Sequence, residues 1–399
     1  MKYPRVFYAK AVYDHRETER VLKVLQESPT LMAGPETLEF EKRVSRYFGK
    51  KHGVMVNSGS SANAIAVDLL DLPRGSEIIT PLLTFSTTVA PLVQRGLVPV
   101  FVDVETDTFV PSFSDLAKAM TTKTRAIMIP ALLGNLPDLT RIRQLGVPVI
   151  LDCCDTFAPK WRGKKVGGYA DIITTSFYAS HIITAGGNGG MVMVDKKTFD
   201  EGARMLRGWG RSSSLFAESE DIKKRFSKKI DGAIYDGKFI FSKIGYNFWP
   251  HEMGSAFGNV QLDRFPSFKK RRKKNFNELH KFFSQYSCFL VPYKNPSVDT
   301  AWLAFPLIYN GNRLKFVKYL ERHNIQTRPI FTGNILKQPG FEGIKRKTKG
   351  TYKNTNYIMK QGVLIGCHQG LSREHLNHIK STVVKYLLTK RKDLFIVKL

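Results

Sequence analysis

Residues 53–81 read GVMVNSGSSANAIAVDLLDLPRGSEIITP, and they predict one complete strand–helix–strand unit. The segments GVMVNS and EIITP are short apolar runs, and SSANAIAVDLL between them has the pattern of a helix. Near-continuous apolar strands separated by helices are typical of a mostly parallel sheet that is covered on both faces. This stretch therefore predicts an α/β fold.

The same alternation continues along the chain as far as about residue 152. Helical patterns occur in TTVAPLVQRG, FSDLAKAM and LTRIRQLG, and strand patterns occur in VPVFVDV, RAIMIPALL and VPVILD. Ligands of such sheets bind beyond the carboxyl ends of the strands. The residues that we expect at this edge are those at positions 57–61, Thr84, Phe85, Asp152 and those at positions 176–181.

The pattern becomes weaker in the second half of the chain. Residues 212–238 are polar and aperiodic, which predicts a loop or excursion, and a helix is predicted at residues 250–265. The later runs WLAFPLIY, FVKYLERHN and QTRPIF predict a smaller α/β unit. We therefore expect a large domain over residues 1–265 and a small C-terminal domain over residues 266–399.

The chain is strongly basic, with 62 Lys and Arg against 34 Asp and Glu and a formal net charge of +28. Such a charge is compatible with binding to nucleic acid or to an anionic membrane. However, the dense basic segments at 223–229 and 269–274 are not followed by a recognisable nucleic-acid-reading motif. We therefore favour a solvated surface and a phosphate-bearing small substrate over a nucleic-acid or membrane partner.

The four cysteines predict neither a disulfide framework nor a metal site. Cys153 and Cys154 are adjacent, Cys288 and Cys367 are isolated, and no C-x-x-C or C-x-C spacing occurs. The chain also lacks an uninterrupted apolar run of about 18 residues and an apolar signal region near its first residue. We therefore expect a cytoplasmic protein without a metal ion.

Four features at the expected strand ends carry possible chemistry. The segment NSGSSAN at 57–63 is either an anion-binding turn at a helix N-terminus or an ordinary helix cap. Asp152 is either a cap or the partner of a protonated ring nitrogen, and Phe85 is either a core residue or a ring that stacks on a flat cofactor. Ser176 is a candidate for a second phosphate contact. Their order along the chain is that expected of one pocket.

Several segments together resemble the DegT/DnrJ/EryC1/StrS family of sugar aminotransferases, which are fold-type I pyridoxal-phosphate enzymes, and within it the nucleotide-sugar 3-dehydratases. Besides NSGSSAN and PLLTFSTTVAPL, these segments are AGPETLEFEKRVSRYFG, LDCCDTFAPKWRGKKVGGYADIITTSFY, RGWGR, RPIFTGN and GCHQGLSREHL. The resemblance covers nearly the whole chain. It implies an aspartate-aminotransferase-like fold, whose large domain has a mostly parallel mixed sheet covered by helices.

The resemblance also implies how the cofactor, pyridoxal or pyridoxamine 5′-phosphate, is held. Asp152 is implied to pair with the pyridinium nitrogen, while Phe85 and Asp155 lie near the two faces of the ring. The implied phosphate-binding residues are Gly59, Ser60, Ser61 and Ser176.

Two further residues are implied to bind other molecules. Asn247 is implied to reach the phosphate in a neighbouring subunit, which predicts a homodimer with shared active sites. Arg328 is a candidate for binding the substrate or a carboxylate.

The most informative departure from the aminotransferases is His181, because the family carries a cofactor-binding lysine there and the 3-dehydratase branch carries a histidine. An imidazole does not form a Schiff base, so the cofactor is held noncovalently and can rest in its amine form. His181 is then the sole acid/base. The implied reaction removes the C3 hydroxyl of a nucleotide-linked 4-keto-6-deoxyhexose, and it gives a 4-keto-3,6-dideoxyhexose for surface polysaccharides such as lipopolysaccharide O-antigen.

A second departure concerns the segment after WGR. One dehydratase type of this branch has the cysteines of a [2Fe–2S] cluster there, whereas this chain reads SSSLFAESEDIKKRF without a cysteine. The chain therefore resembles the cluster-free type known from colitose biosynthesis, in which L-glutamate regenerates the amine form of the cofactor. That type implies a GDP-sugar, but the residues themselves leave the nucleotide and the hexose configuration open.

A third departure is AGGNGG at 185–190, where the family reads G-E-G-G and this chain carries Asn188. Either the loop geometry differs, or the site has drifted toward another substrate or lost activity. Two alternatives to the dehydratase therefore stay open at this point, an aminotransferase with an unusual base and an inactive cofactor-binding protein.

Overall fold

The structure is a computed structural model that describes residues 5–216 and 221–389. Within these residues the helices are α1 (His15–Glu27), α2 (Pro35–Phe48), α3 (Gly59–Asp68), α4 (Ser86–Gln94), α5 (Phe113–Ala119), α6 (Leu139–Arg143), α7 (Lys197–Arg207), α8 (Ile222–Arg225), α9 (Glu252–Phe283), α10 (Arg313–Arg322), α11 (Lys353–Gln361) and α12 (Arg373–Leu388). The strands are β1 (His52–Val56), β2 (Glu77–Pro81), β3 (Val98–Val102), β4 (Thr124–Pro130), β5 (Val149–Cys153), β6 (Lys160–Trp161), β7 (Lys164–Lys165), β8 (Ile172–Ser176), β9 (Gly190–Val194), β10 (Lys228–Ile230), β11 (Ala233–Tyr235), β12 (Phe289–Leu290), β13 (Val298–Asp299), β14 (Phe305–Tyr309), β15 (Thr327–Arg328), β16 (Lys347–Thr348) and β17 (Gly362–Ile365).

The central sheet has eight strands in the order β1-β9-β8-β5-β4-β2-β3-β16. Neighbouring strands from β8 to β16 pair in parallel, whereas β9 runs antiparallel to both β1 and β8. The inner strands β2, β3 and β5 are buried along their whole length, as expected for a sheet that is covered on both faces. The predicted α/β fold with a mostly parallel mixed sheet is confirmed.

The strand–helix–strand unit predicted from residues 53–81 is present as β1, α3 and β2. Helix α3 begins directly after β1 because the Ser58 hydroxyl accepts a hydrogen bond from the Ser61 N–H and caps the helix. The turn between β1 and α3 also packs against the first residue of β9, since a Cβ on Gly190 would lie 2.2 Å from the Ser58 carbonyl oxygen. The turn and the strand therefore approach each other so closely that only glycine fits at position 190.

A smaller antiparallel sheet, in the order β12-β14-β17-β15, packs against the second half of the long helix α9. In α9 the ring of Phe276 stacks on Trp302 with the ring centroids 4.1 Å apart, and Phe283 stacks on Phe305 of β14. Helix α9 runs without interruption through the predicted boundary between residues 265 and 266. The two sheets thus share one helix, and the division into domains 1–265 and 266–399, whose ends lie outside the described residues, stays a prediction.

The segment predicted as an irregular loop at residues 212–238 contains regular structure. A 3₁₀ turn at Ser212–Leu215, helix α8 and the two-stranded hairpin β10–β11 lie in its described part, and both strands of the hairpin are exposed. The prediction of a loop was wrong for these elements, because they are too short and too polar to give a periodic pattern.

No helix in the described ranges is both long and apolar enough to cross a membrane. Among the same residues, no group of three or more His, Cys, Asp or Glu side chains is placed to hold a metal ion.

Candidate active site

A cavity of about 540 Å³ lies at the carboxyl ends of β1, β5 and β8. This is the edge at which ligands of parallel sheets bind. Seven of the residues predicted for the site line it: Gly59, Ser60, Phe85, Asp152, Asp155, Ser176 and His181.

The first turn of α3 opens on this cavity. The N–H groups of Gly59 and Ser60 have no acceptor within their own helix, since the first residues of an α-helix lack one. A Cβ on Gly59 would lie 2.7 Å from both the Cys154 Sγ and the Ser176 Cβ, so the backbone here is packed directly against β8. These free N–H groups and the positive end of the helix dipole suit a phosphate group.

Asp152 is the last residue but one of β5, and its carboxylate is surrounded by hydrogen-bond donors. Oδ2 accepts from the Asn63 Nδ2 and the Thr88 Oγ1, both at 2.8 Å, and Oδ1 accepts from the Cys154 N–H at 3.0 Å. The residue is only 4% exposed. Three donors around one buried carboxylate stabilise its negative charge and fix its orientation, as a partner for a protonated ring nitrogen requires.

Asp155 lines the same cavity but has a different environment. Within the described ranges its carboxyl group has no hydrogen-bond donor or cationic partner, in contrast to Asp152. Burial, reinforced by the negative charge of Asp152, raises the pKa of Asp155 well above its usual range. The two carboxyl groups therefore differ in chemistry, since Asp152 is surrounded by donors whereas burial favours the protonated form of Asp155.

His181 lies in the turn after β8, with its backbone N–H donating to the Tyr178 carbonyl oxygen at 2.9 Å. Its Nδ1 lies 3.4 Å from the Ser176 carbonyl oxygen, and its ring packs edge-on against Tyr178. Burial lowers the pKa of His181 to about 4, although the contact with Ser176 opposes this shift. The imidazole is thus neutral near pH 7 and is available as a proton acceptor.

Phe85 and Asn188 occupy more open positions in the lining. Phe85 is 51% exposed, which is unusual for a phenylalanine and leaves a ring face free for stacking. Asn188 is exposed and lines both the cavity and a neighbouring groove of about 1120 Å³. The AGGNGG segment is therefore part of the site, and the effect of Asn188 on activity stays open.

Three predicted site residues lie outside the cavity lining. Ser61 donates from its hydroxyl to the Asn57 Oδ1 at 2.6 Å and lines the neighbouring groove instead. Asn247 is exposed and makes a backbone bridge with Gly208. The Arg328 Nη1 donates to the carbonyl oxygen of the preceding residue, Thr327, at 2.8 Å. The predicted roles of Ser61, Asn247 and Arg328 stay predictions.

The sequence reasoning did not identify several residues of the site. Asn63 and Thr88 hold Asp152, while Tyr8 and Tyr178 line the cavity. Asn63 lies within the NSGSSAN segment and Tyr178 within SFYASH, so their positions beside predicted site residues were a usable signal. Tyr8 carries no such signal, because it approaches the site from the far end of the chain.

Comparison with known proteins relates this chain to one family. The profile of the DegT/DnrJ/EryC1/StrS aminotransferase family matches residues 12–384. The chain is 36% identical over 363 residues to the lipopolysaccharide biosynthesis protein RfbH of Salmonella typhimurium, covering 86% of this chain and 83% of the relative. It is 31% identical to the GDP-4-keto-6-deoxy-D-mannose 3-dehydratase of Yersinia pseudotuberculosis, covering 90% of this chain and 93% of the relative.

Solved structures show the same similarity in three dimensions. A GDP-4-keto-6-deoxymannose-3-dehydratase with a trapped PLP-glutamate geminal diamine superposes with a TM-score of 0.84 and 27% sequence identity. The match covers 95% of this chain and 99% of that structure, so it includes both sheets. The fold-type I architecture predicted from the sequence is thereby confirmed.

Proposed function

The chain belongs to the DegT/DnrJ/EryC1/StrS aminotransferase family, and from this premise we propose that it is a nucleotide-sugar 3-dehydratase that depends on pyridoxal or pyridoxamine phosphate. Its substrate would be a nucleotide-linked 4-keto-6-deoxyhexose, from which it removes the C3 hydroxyl to give a 3,6-dideoxy sugar for surface polysaccharides. The observation that carries this proposal is His181, a neutral base in a cavity that no lysine lines among residues 5–216 and 221–389.

The cavity fits the proposed cofactor. The free N–H groups of Gly59 and Ser60, with Ser176 beside them, suit its phosphate, and the exposed ring of Phe85 suits its flat face. Asp152, with three donors around its carboxylate, suits the protonated ring nitrogen. When bound, the cofactor supplies an electron-accepting ring and, in its amine form, the nitrogen that condenses with the sugar ketone.

His181 would move the protons of the reaction. Its neutral imidazole would accept the proton that is released at the methylene carbon of the cofactor, since it lines the same cavity as the residues that suit the cofactor. The protonated imidazole can then return a proton during cofactor regeneration. The pKa of about 4 makes the free imidazole a weak base but keeps it unprotonated at neutral pH.

We further propose that L-glutamate regenerates the amine form and that no iron–sulfur cluster takes part. The solved relative described above contains a glutamate adduct of the cofactor, and the two chains share the fold over 95% of this chain. The four cysteines at positions 153, 154, 288 and 367 all lie outside the segment after WGR that holds the cluster in the other dehydratase type. His181 would then serve both halves of the catalytic cycle.

A homodimer is part of the same proposal. Large apolar side chains are exposed in the predicted excursion at 212–238 and in the segment directly after it, and the most exposed are Ile244 at 92%, Ile222 at 73% and Ile234 at 63%. A concentration of exposed apolar side chains is typical of an interaction surface. Asn247 follows Ile244 closely in the sequence, is exposed and does not line the cavity of its own chain, as expected of a residue that contacts the neighbouring subunit.

The proposed function is tested by adding L-glutamate to the protein reconstituted with pyridoxal phosphate. The absorbance band of the aldehyde form should fall while the band of the amine form rises, and 2-oxoglutarate should appear in equal amount. A His181→Asn variant serves as the control and should bind the cofactor without this spectral change. A wild-type spectrum that glutamate leaves unchanged would contradict the proposal and would favour an inactive cofactor-binding protein.

An aminotransferase with an unusual base is the remaining alternative, since the family is named for that activity. A His181→Lys variant tests whether position 181 faces the aldehyde of the cofactor. Lysine at this position should form a covalent, borohydride-reducible bond with pyridoxal phosphate, detected by mass spectrometry of the reduced protein. Absence of this adduct would mean that position 181 does not face the cofactor aldehyde.

A further inference from the structure

The cavity has a second wall, which the smaller sheet positions. Tyr8, Ala9, Leu303 and Phe331 line the cavity but belong to the N-terminal segment and to the chain around β14 and β15, not to the edge of the central sheet. None of these four side chains carries a charge. The groups that suit the cofactor, by contrast, all come from the central sheet and its helices.

The position of Tyr8 is fixed by contacts with the smaller sheet and its loops. The Val6 N–H donates to the Asn324 carbonyl oxygen at 2.8 Å, and the Gln326 N–H donates back to Val6 at 2.9 Å. The Tyr8 N–H donates to the Gln326 Oε1 at 2.9 Å, and the Phe7 carbonyl oxygen contacts the His368 Nε2. Hydrogen bonds of the main-chain groups of Val6, Phe7 and Tyr8 therefore fix the N-terminal segment beside the smaller sheet. They also fix the position of Tyr8 at the cavity.

The phenol of Tyr8 has no hydrogen-bond partner in residues 5–216 and 221–389. Burial, with the nearby Asp155 carboxyl as the next cause, raises the pKa of Tyr8 above its usual range, so the hydroxyl stays neutral. Tyr8 is half-buried and lines the cavity, so a molecule bound there can supply this partner. A neutral donor that faces a cavity without one is suited to an uncharged, hydroxylated ligand.

Arg328 does not line the cavity, but its guanidinium group lies near the ring of Tyr8. Its guanidinium carbon lies 5.9 Å from the centroid of the Tyr8 ring, within the range of a cation–π contact. The arginine thus contacts the tyrosine without lining the cavity itself.

We propose that Tyr8 is a substrate-binding residue whose hydroxyl hydrogen-bonds the hexose ring of the nucleotide sugar. It lies in the second wall of the cavity, which does not come from the central sheet that carries the cofactor-binding groups. This inference rests on the proposed dehydratase function. A 6-deoxyhexose presents hydroxyl or keto oxygens and a methyl group without a charge, which matches a wall of one phenol, Leu303 and Phe331. A diphosphate would instead favour cationic side chains, and none of the four side chains of this wall is charged.

The test compares Tyr8→Phe with wild type, because this variant removes only the hydroxyl. Loss of one neutral hydrogen bond should raise the KM for the nucleotide-linked 4-keto-6-deoxyhexose about five- to tenfold. The dissociation constant of pyridoxal phosphate, followed by fluorescence, and the rate of the glutamate reaction should stay within about twofold of wild type. Tyr13→Phe is the matched control, since Tyr13 lies in the same segment but lines the neighbouring groove, and it should change none of these quantities.

The outcomes separate this inference from the proposed function. A wild-type protein that accepts no 4-keto-6-deoxyhexose with any nucleotide would overturn the proposed function and this inference with it. If wild type accepts the sugar and Tyr8→Phe has an unchanged KM, only the role of Tyr8 is wrong. If Tyr8→Phe weakens the cofactor and the sugar equally, Tyr8 contacts the cofactor, and the assignment to the hexose is likewise wrong.

Discussion

The two aspartates of the cavity give the sharpest test of how the site is built. In an Asp152→Asn variant, one carboxamide oxygen must replace two carboxylate oxygens that together accept from Asn63, Thr88 and the Cys154 N–H. Whichever way the amide is oriented, its NH₂ group faces at least one buried N–H donor. One unsatisfied donor should lower the free energy of unfolding of the apoprotein by about 1–3 kcal/mol.

The same substitution should weaken cofactor binding more strongly than it weakens the fold. Truncating one partner of a buried, hydrogen-bonded charge pair costs about 2–5 kcal/mol, so the dissociation constant of pyridoxal phosphate should rise at least about thirtyfold. Urea denaturation followed by circular dichroism measures the first effect, and a fluorescence titration measures the second.

Asp155→Asn is the matched control, because it removes the other carboxyl group of the same cavity. Asp155 has no donor to lose among the described residues, and burial already favours the neutral form of its carboxyl group. This variant should leave the free energy of unfolding unchanged or slightly higher, and should change cofactor affinity less than about tenfold. Equal losses of cofactor affinity in the two variants would refute the assignment of the ring-nitrogen partner to Asp152.

Three further predictions follow from the same structure. Gly59→Ala places a Cβ 2.7 Å from two side-chain atoms and should cost about 1–3 kcal/mol of stability as well as cofactor affinity, whereas Gly168→Ala, with nothing within 4 Å, should cost little in thermal unfolding. Because burial lowers the pKa of His181 to about 4, the rate of the glutamate reaction in stopped-flow should stay level as pH falls from about 8 to 5.5, and a decline centred on 6.5 would contradict this. Ile244→Glu, in the exposed segment after the excursion, should convert the proposed dimer to monomer in size-exclusion chromatography with light scattering, while Leu314→Glu, at a 61% exposed position on α10, should leave that dimer intact.

The sequence predicts the central sheet well because its signals are local. The apolar runs at β2, β3 and β5 and the small residues before α3 lie within a few positions of one another, and the structure places each close to its expected bounds. The helix at 250–265 was predicted too short, since Pro266 is a usual stop signal. The helix continues because its later turns bury Phe268, Phe276 and Phe283.

The parts of the site that the sequence does not reveal depend on contacts between distant segments. Asn63 and Thr88 hold Asp152 across 89 and 64 positions of sequence, and Tyr8 is held by Gln326 across 318 positions. No local pattern encodes these pairs, because a hydrogen bond of this kind exists only after the sheet has brought the segments together. Strand β16 was missed for a similar reason, since Lys347–Thr348 gains its strand form only by pairing with β3.

The most direct test of the account is the mass of the sugar product formed by the wild-type protein with cofactor, L-glutamate and a panel of nucleotide-linked 4-keto-6-deoxyhexoses. With His181 as the base, the product should be lighter than the substrate by one oxygen atom and should contain no new nitrogen. A product that keeps all its oxygen atoms except the ketone oxygen and gains an amino group would identify an aminotransferase instead, and would contradict the role assigned to His181.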